Sequence, residues 1–326
     1  MPDSPASLPL FAISLALAFG CVATPEQKPA AQQDQTAAWQ RSYTLATRAH
    51  RSYRKGDLLV AERYYEKALA HARGFPEIDP RLLQTRYSLA RLHEQQGRYR
   101  LAIRELTDLL PLEKQSHGSA SEPVAATLQL LCGVYVESGS FREAKQTCLE
   151  ILALRREHFA DEPQSIAVVR LRLAATQAGL RNYADAESIY VELLAGSAAG
   201  RHAGALGVLA ENGLGLVYAS QGRWAEAESR QLKALSILVR TKALKTPRYP
   251  KVLRDLGNLY MQRQRYDDAS ERYELALSLF EQIIGEDHFE VRDTLLRIAD
   301  LKARTGSTRE AAELRYKAES IRDPRV

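Results

Sequence analysis

The chain has 326 residues, of which 45% are hydrophobic, and this is ample for a large repeat array. Its net charge of +5 and pI near 9.0 are compatible with nucleic acid, anionic lipid or an acidic protein as a partner. The arginines are dispersed, however, and no basic run is interleaved with aromatic residues. Nucleic acid is therefore excluded as an expected partner.

The N-terminal residues contain a short apolar stretch that ends at a cysteine. Residues 8–20 are mainly apolar and come directly before Cys21. This stretch is too short to span a bilayer, which needs about 20 residues, but it suits the hydrophobic part of a secretory signal. We therefore expect a signal peptide over residues 1–20.

Gly20-Cys21 resembles the end of a bacterial lipobox, in which a small residue precedes the lipidated cysteine. The resemblance implies a lipid anchor on Cys21. Because no aspartate follows this cysteine, it also implies an outer-membrane lipoprotein that faces the periplasm. Residues 21–36 are expected to form a flexible polar tether. An ordinary export signal, an inner-membrane or uncleaved anchor, and a leader of no consequence remain open alternatives.

Beyond the tether, an alanine recurs at intervals of 41 or 42 residues. The series consists of Ala61, Ala102, Ala144, Ala186, Ala227, Ala269 and Ala311. So strict a period predicts an α-solenoid, in which each unit buries its apolar face only against its neighbours.

Each period contains two stretches with apolar residues three and four positions apart, which predict a pair of amphipathic helices. In units two, three and five a glycine followed two residues later by an aromatic residue separates the two stretches. Arg181 and Gln264 stand where the other units have glycine, so those turns must form without it. Seven units are predicted, over residues 42–77, 80–120, 122–160, 163–200, 204–245, 249–288 and 290–323, within a solenoid that spans residues 37–326.

The ordered string of leucine, Ala or Gly, tyrosine, glycine, aromatic residue and alanine resembles the tetratricopeptide repeats. The longer period and the segments Glu122-Pro123-Val124 and Gly285-Glu286-Asp287-His288 resemble the kinesin-light-chain variety. The resemblance implies an all-α, right-handed solenoid of helical hairpins that binds other proteins or peptide segments. The leading hypothesis is a membrane-tethered periplasmic adaptor, by analogy with bacterial tetratricopeptide lipoproteins. A cytoplasmic regulator that senses a peptide or a small ligand is the alternative.

In this family the first helix of each unit lines a concave groove. Lys251, Arg254 and Asn258 then share one face of the first helix of unit six, and Arg297 lies beside them in unit seven. Cations beside an asparagine resemble the carboxylate clamps that hold acidic or C-terminal peptides, although Asp293 replaces an expected lysine. A solvated arginine face is the alternative. The other groove positions that the resemblance assigns are Tyr87, Arg91, Arg172 and Asn212.

Cys132 and Cys148 occupy inward positions of the same hairpin. They are expected either to form a disulfide or to be two small buried thiols. No histidine pair or cysteine–histidine set has the spacing of a metal site, and no phosphate-binding loop is present. The sequence therefore predicts no enzyme, no metal and no cofactor.

Overall fold

The computed structural model describes residues 30–54, 57–160, 162–197, 204–321 and 323. The predicted signal peptide and Cys21 lie outside these residues. Fourteen α-helices and no strand occur in the described part of the chain. The helices are α1 (Ala30–Arg54), α2 (Leu58–His71), α3 (Pro80–Gln95), α4 (Tyr99–His117), α5 (Glu122–Glu137), α6 (Phe141–His158), α7 (Pro163–Gly179), α8 (Tyr183–Ser197), α9 (Ala205–Ser220), α10 (Trp224–Arg240), α11 (Arg248–Gln262), α12 (Tyr266–Ile284), α13 (Phe289–Arg304) and α14 (Thr308–Ser320).

The helices form seven hairpins, one for each predicted unit. Each helix packs against the next one in the chain, and each odd-numbered helix also contacts the following odd-numbered helix. Among the described helices, no even-numbered helix contacts another even-numbered one. The odd-numbered helices therefore form the tighter inner layer of a curved solenoid, and the even-numbered helices form the outer layer. This arrangement confirms the predicted all-α fold.

The recurring alanines mark the closest approach of the two helices in every unit. All seven are buried, with at most 1% of their surface exposed. At Gly215, opposite Ala227, an added Cβ would lie 3.2 Å from the Ala227 carbonyl oxygen and 2.9 Å from Cγ of Gln231. At Gly257, a Cβ would lie 2.6 Å from the ring of Tyr273. Small residues are required at these crossings because the helices are packed to contact distance.

The turns within the hairpins use a left-handed residue, as the glycine pattern predicts. Gly139 and Gly222 have φ of 77° and 75°. Arg181 and Gln264, at the equivalent positions, adopt φ of 63° and 59°. The turn geometry is thus retained in these two units at a steric cost that glycine avoids.

Replacing Arg181 with glycine should raise the free energy of unfolding by about 0.5–1 kcal/mol, because it removes the Cβ strain at positive φ. The opposite change, Gly222→Ala, should lower it by about 1 kcal/mol. No heavy atom lies within 4 Å of a Cβ at position 222, so backbone strain alone would cause that loss. Urea denaturation of the three proteins checks both signs. Equal stability of Arg181→Gly and the wild type would show that the positive φ at Arg181 carries no backbone strain.

The structure differs from the expected tether at one point. Helix α1 begins at Ala30, inside the stretch 21–36 that composition assigned to a flexible segment. The residues after Pro29 are mainly alanine and glutamine, which have good helix propensity, and no glycine or proline interrupts them. The polar composition predicted the absence of a packed core, but it did not exclude an N-terminal extension of a helix. Residues 21–29 lie outside the described residues.

Ion pairs between successive units form a repeated feature that the sequence reasoning missed. Glu187 of α8 accepts hydrogen bonds from Tyr218 Oη (3.0 Å) and Arg223 Nη1 (2.8 Å) of the next unit. The Arg223 guanidinium also lies 3.8 Å from the centre of the Tyr218 ring. The same arrangement recurs one unit later at Glu228, Tyr260 and Arg265. A glutamate directly after the core alanine, with an arginine 36 or 37 residues later, is the signal that could have predicted it.

Glu113 is a buried carboxyl group near the C-terminal end of α4. Only 3% of the residue is exposed, and its Oε2 has no hydrogen-bond partner among the described residues. Burial disfavours the charged form and raises the pKa of Glu113 from 4.5 to about 7. Folding therefore favours the protonated carboxyl group between these two pH values.

The sign of the resulting pH dependence follows from proton binding. Between about pH 4.5 and 7 the folded chain holds a proton that the unfolded chain has released, so this carboxyl group destabilises the fold as the pH rises. The total loss should approach roughly 3 kcal/mol and be complete above about pH 7. Glu113→Gln should remove this part of the slope in denaturation measured across the range, whereas the exposed control Glu77→Gln should leave it unchanged. If the free energy of unfolding has the same pH dependence in the wild type and in Glu113→Gln, the raised pKa of this buried carboxyl group is wrong.

Candidate ligand-binding channel

The predicted groove residues belong to successive odd-numbered helices, which form the inner layer. Tyr87 and Arg91 lie on α3, Arg172 on α7 and Asn212 on α9. Lys251, Arg254 and Asn258 lie on α11, and Arg297 lies on α13. The structure therefore distributes these residues along the inner wall, and their individual surroundings differ.

Arg172 is held by the neighbouring unit. Its guanidinium donates a hydrogen bond to the Gln129 carbonyl oxygen of α5 and lies against Gly133, where an added Cβ would be 2.5 Å from Cζ. Burial lowers the pKa of Arg172, while Glu94 and Glu137 act in the opposite direction. Gly133 thus provides the space in which this cation crosses from α7 to α5. Arg172 is a fixed part of the inner wall.

Arg254 is a structural residue in this arrangement. It is only 8% exposed, and its Nη2 lies 2.5 Å from Glu290 Oε2 of α13. It also donates hydrogen bonds from Nη1 to the Glu290 carbonyl oxygen and to Thr294 Oγ1. The guanidinium therefore connects units six and seven, and is not presented to a ligand together with Lys251, Asn258 and Arg297.

The other three residues of the predicted clamp are divided between two cavities. Asn258 and Arg297 line a cavity of about 590 Å³ between α11, α12 and α13. Asn258 Oδ1 accepts a hydrogen bond from Tyr273 Oη at 2.8 Å, while Arg297 is exposed. Lys251 lines a second cavity of about 620 Å³ on the N-terminal side of α11. The sequence spacing placed Lys251 and Asn258 on one helical face, with Arg297 beside them in unit seven, but could not resolve this division.

Replacing Arg254 with methionine should lower the free energy of unfolding by about 3 kcal/mol, because it leaves the poorly exposed Glu290 carboxylate without its cation. The matched change Arg297→Met removes an exposed cation of the same predicted clamp, and should alter stability by no more than about 0.5 kcal/mol. Denaturation of both variants tests this difference. Equal losses would contradict the assignment of Arg254 to the unit interface.

Asn212 does not offer its amide to the channel as a free group. Its Nδ2 donates to Asp255 Oδ2 of α11 at 2.8 Å, and the residue is 9% exposed. Burial raises the pKa of Asp255, and the Asn212 hydrogen bond partly offsets this. This contact ties the inner helices of units five and six together.

In the hairpin of unit three, Cys132 of α5 and Cys148 of α6 form a disulfide, with their Cα atoms 5.3 Å apart. Both cysteines are fully buried. Of the two alternatives that the sequence left open, the structure has the bonded one. The disulfide links the inner and outer helices of the unit that carries Glu137.

The described residues contain neither a metal-binding cluster nor a helix that could span a membrane. Within the described ranges, no three His, Cys, Asp or Glu side chains converge in a way that could hold a metal ion. Among the described helices, none combines the length and apolar character needed to cross a bilayer. The inner wall offers hydrogen-bonding, charged and apolar groups, which suit non-covalent recognition of a polypeptide.

Comparison with known proteins agrees with this architecture. Residues 212–241 and 248–323 match family models of the tetratricopeptide repeat. Protein KINESIN LIGHT CHAIN-RELATED 1 of Arabidopsis thaliana is 26% identical over 202 residues, which cover 62% of this chain. The match spans about a quarter (26%) of the length of that relative.

Two solved structures share the fold at low sequence identity. NprR in complex with its cognate peptide NprX superposes with a TM-score of 0.70 and 13% identity, over 86% of this chain and 77% of that one. The apo form of RapI gives 0.63 and 14%, over 87% of this chain and 98% of that one. Residues 212–241 and 248–323 thus match tetratricopeptide repeats, within a helical solenoid that continues in the same hairpin pattern through its N-terminal units.

Proposed function

We propose that this chain is an adaptor that holds segments of partner proteins or peptides along its inner wall. The observation that carries the proposal is the continuous inner layer of odd-numbered helices, which provides two cavities of about 590 and 620 Å³. An already ordered wall binds an extended segment with little loss of its own conformational entropy. The proposed role is binding rather than catalysis.

The fold shared with NprR supports a polypeptide as the ligand, since that protein was crystallised with its cognate peptide. The acidic character that the sequence suggested for the partner stays a prediction. Of the four residues on which it depends, Lys251 and Arg254 already have carboxylate partners within the chain. Arg297 remains the exposed cation of that set.

We also propose that the adaptor is tethered to the periplasmic side of the outer membrane through Cys21. The short apolar segment before Gly20-Cys21 supports an export signal of the lipoprotein type. The Cys132–Cys148 disulfide supports an oxidising compartment, because structural disulfides are rare in a reducing cytosol. Assistance in the assembly of envelope complexes would suit a scaffold held near that surface.

A cytoplasmic regulator that senses a peptide or a small ligand is the second candidate. The similarity to NprR supports the peptide-sensing part of this alternative, because that protein was crystallised with its cognate peptide. The two candidates share the inner wall as the binding surface. They differ in the fate of Cys21.

The binding role is tested by photo-crosslinking in cells. A photoreactive amino acid replaces Gln95 or Gln262, which line the two cavities, and in a matched control it replaces Leu232, which is exposed on the outer helix α10. We expect covalent adducts with partner polypeptides from the inner positions and few from the outer one. Adducts that are as frequent at Leu232, or absent at both inner positions, would contradict the proposal.

The same cells provide the test of location. Labelled palmitate should be incorporated into the wild type and be lost in Cys21→Ser, which leaves the solenoid sequence intact. Adducts at the inner positions without any lipid label would favour the cytoplasmic regulator and reject the lipoprotein.

A further inference from the structure

The cavity of about 620 Å³ lies where the solenoid curves back on itself. Its walls come from opposite ends of the chain, because residues of units one to three face the start of α11, the end of α12 and the start of α13. Residues that define the two walls are Tyr53, Glu94 and Glu137 on one side, and Lys251, Ile284 and Glu290 on the other. We call this cavity the closing chamber.

The charges in the closing chamber are unequal. Four carboxylates line it, from Asp57, Glu94, Glu137 and Glu290, whereas Lys251 is the single lysine or arginine among its described lining residues. Glu290 is neutralised by Arg254 from behind the wall. Burial raises the pKa of Glu94, and Arg172 and Arg91 act in the opposite direction. Arg172 also interacts with Glu137. The carboxylates of the lining are therefore balanced largely by arginines behind the walls, and Lys251 is the cation that extends into the chamber itself.

Lys251 reaches across the channel to one of these carboxylates. Its Nζ lies 3.8 Å from Glu137 Oε2, although the two residues belong to units six and three. No backbone packing joins α5 to α11, so these long side chains make the connection. Both remain nearly half exposed, at 45% and 47%. A pair of this kind contributes little to stability and exchanges easily with another cation.

The wall around Glu137 therefore already holds an ammonium group, which comes from the opposite wall. Tyr53 and Ile284 line the same chamber and add apolar surface, of the kind that covers the methylene stem of a lysine or arginine side chain. Carboxylates with an adjacent apolar surface are suited to a long basic side chain more than to a small inorganic ion.

We propose that the closing chamber is a subsite for a basic residue, lysine or arginine, of the segment that the inner wall holds. Lys251 acts as an internal substitute for that residue and is displaced from Glu137 when the segment binds. This inference rests on the proposed function and specifies the chemistry of the ligand. It assigns Lys251 a role opposite to that expected from the sequence, in which this lysine attracts an acidic segment.

The test begins with a library of random dodecapeptides displayed on phage and selected on the immobilised full chain. We expect the selected peptides to be enriched in lysine and arginine over aspartate and glutamate. The dissociation constant of one selected peptide is then measured with the wild type and with Lys251→Met, Glu137→Gln and Lys233→Met. Lys233 is an exposed lysine on the outer helix α10 and controls for the loss of one positive charge.

These variants distinguish two roles for Lys251: an internal substitute for a basic residue of the ligand, or part of a clamp that binds an acidic segment. Lys251→Met should tighten binding of the basic peptide by about three-fold, because it removes the internal competitor for Glu137. Glu137→Gln should weaken it by about three-fold or more, and Lys233→Met should have no effect. Glu94→Gln provides a second carboxylate variant, and circular dichroism verifies that every variant is folded.

Three results would overturn the inference. If the selected peptides are acidic and bind more weakly to Lys251→Met, this lysine is part of a clamp for acidic segments, as the sequence suggested. The proposed binding function would then stand, and the basic subsite would not. Basic peptides whose affinity is insensitive to Lys251→Met and to both carboxylate variants would place the ligand elsewhere on the chain. Failure to select any peptide above a blank surface would count against the proposed function and, with it, the subsite.

Discussion

The structure depends on the close contact between the two helices of each unit. At the seven crossings the outer helix places a buried alanine against its partner, and Gly215 and Gly257 allow two of the inner helices to approach still further. Larger side chains at such crossings cost about 1–3 kcal/mol each, because a close-packed interior cannot expand locally without strain. Since every unit repeats a small buried residue at this crossing, the hairpins stack in series into a curved solenoid.

The inner wall is a consequence of that curvature. Contacts between odd-numbered helices, without any between the described even-numbered ones, bring the first helices together and spread the outer surface. Ion pairs such as Glu187 with Arg223 fix the rotation from one unit to the next. The result is that Lys251 in unit six comes within 3.8 Å of Glu137 in unit three, and a chamber forms between residues that are far apart in sequence. The proposed binding surface thus lies between units as well as along them.

The periodicity of the sequence was sufficient to predict the architecture but not the state of individual inner side chains. The spacing of Ala61 to Ala311 predicted the hairpins. The glycine pattern predicted their turns but not that Arg181 and Gln264 would themselves adopt positive φ. The period cannot report pairing between units, so Arg254 was expected in a groove although Glu290 holds it at an interface. Proximity across the channel depends on the accumulated curvature of three units, and no local spacing contains that information.

Crosslinking across the channel measures directly whether the solenoid brings units three and six together. Cysteines replace Glu137 and Lys251 in a Cys21→Ser background, and a short bis-maleimide reagent is added to dilute protein; a matched protein has Glu137→Cys with Lys233→Cys on the outer helix α10. If the stacked hairpins curve as described, the first protein forms an intramolecular crosslink rapidly and the second does not. Absence of the intramolecular product in the first protein, or equal yields in both, would contradict the proximity of positions 137 and 251 across the channel.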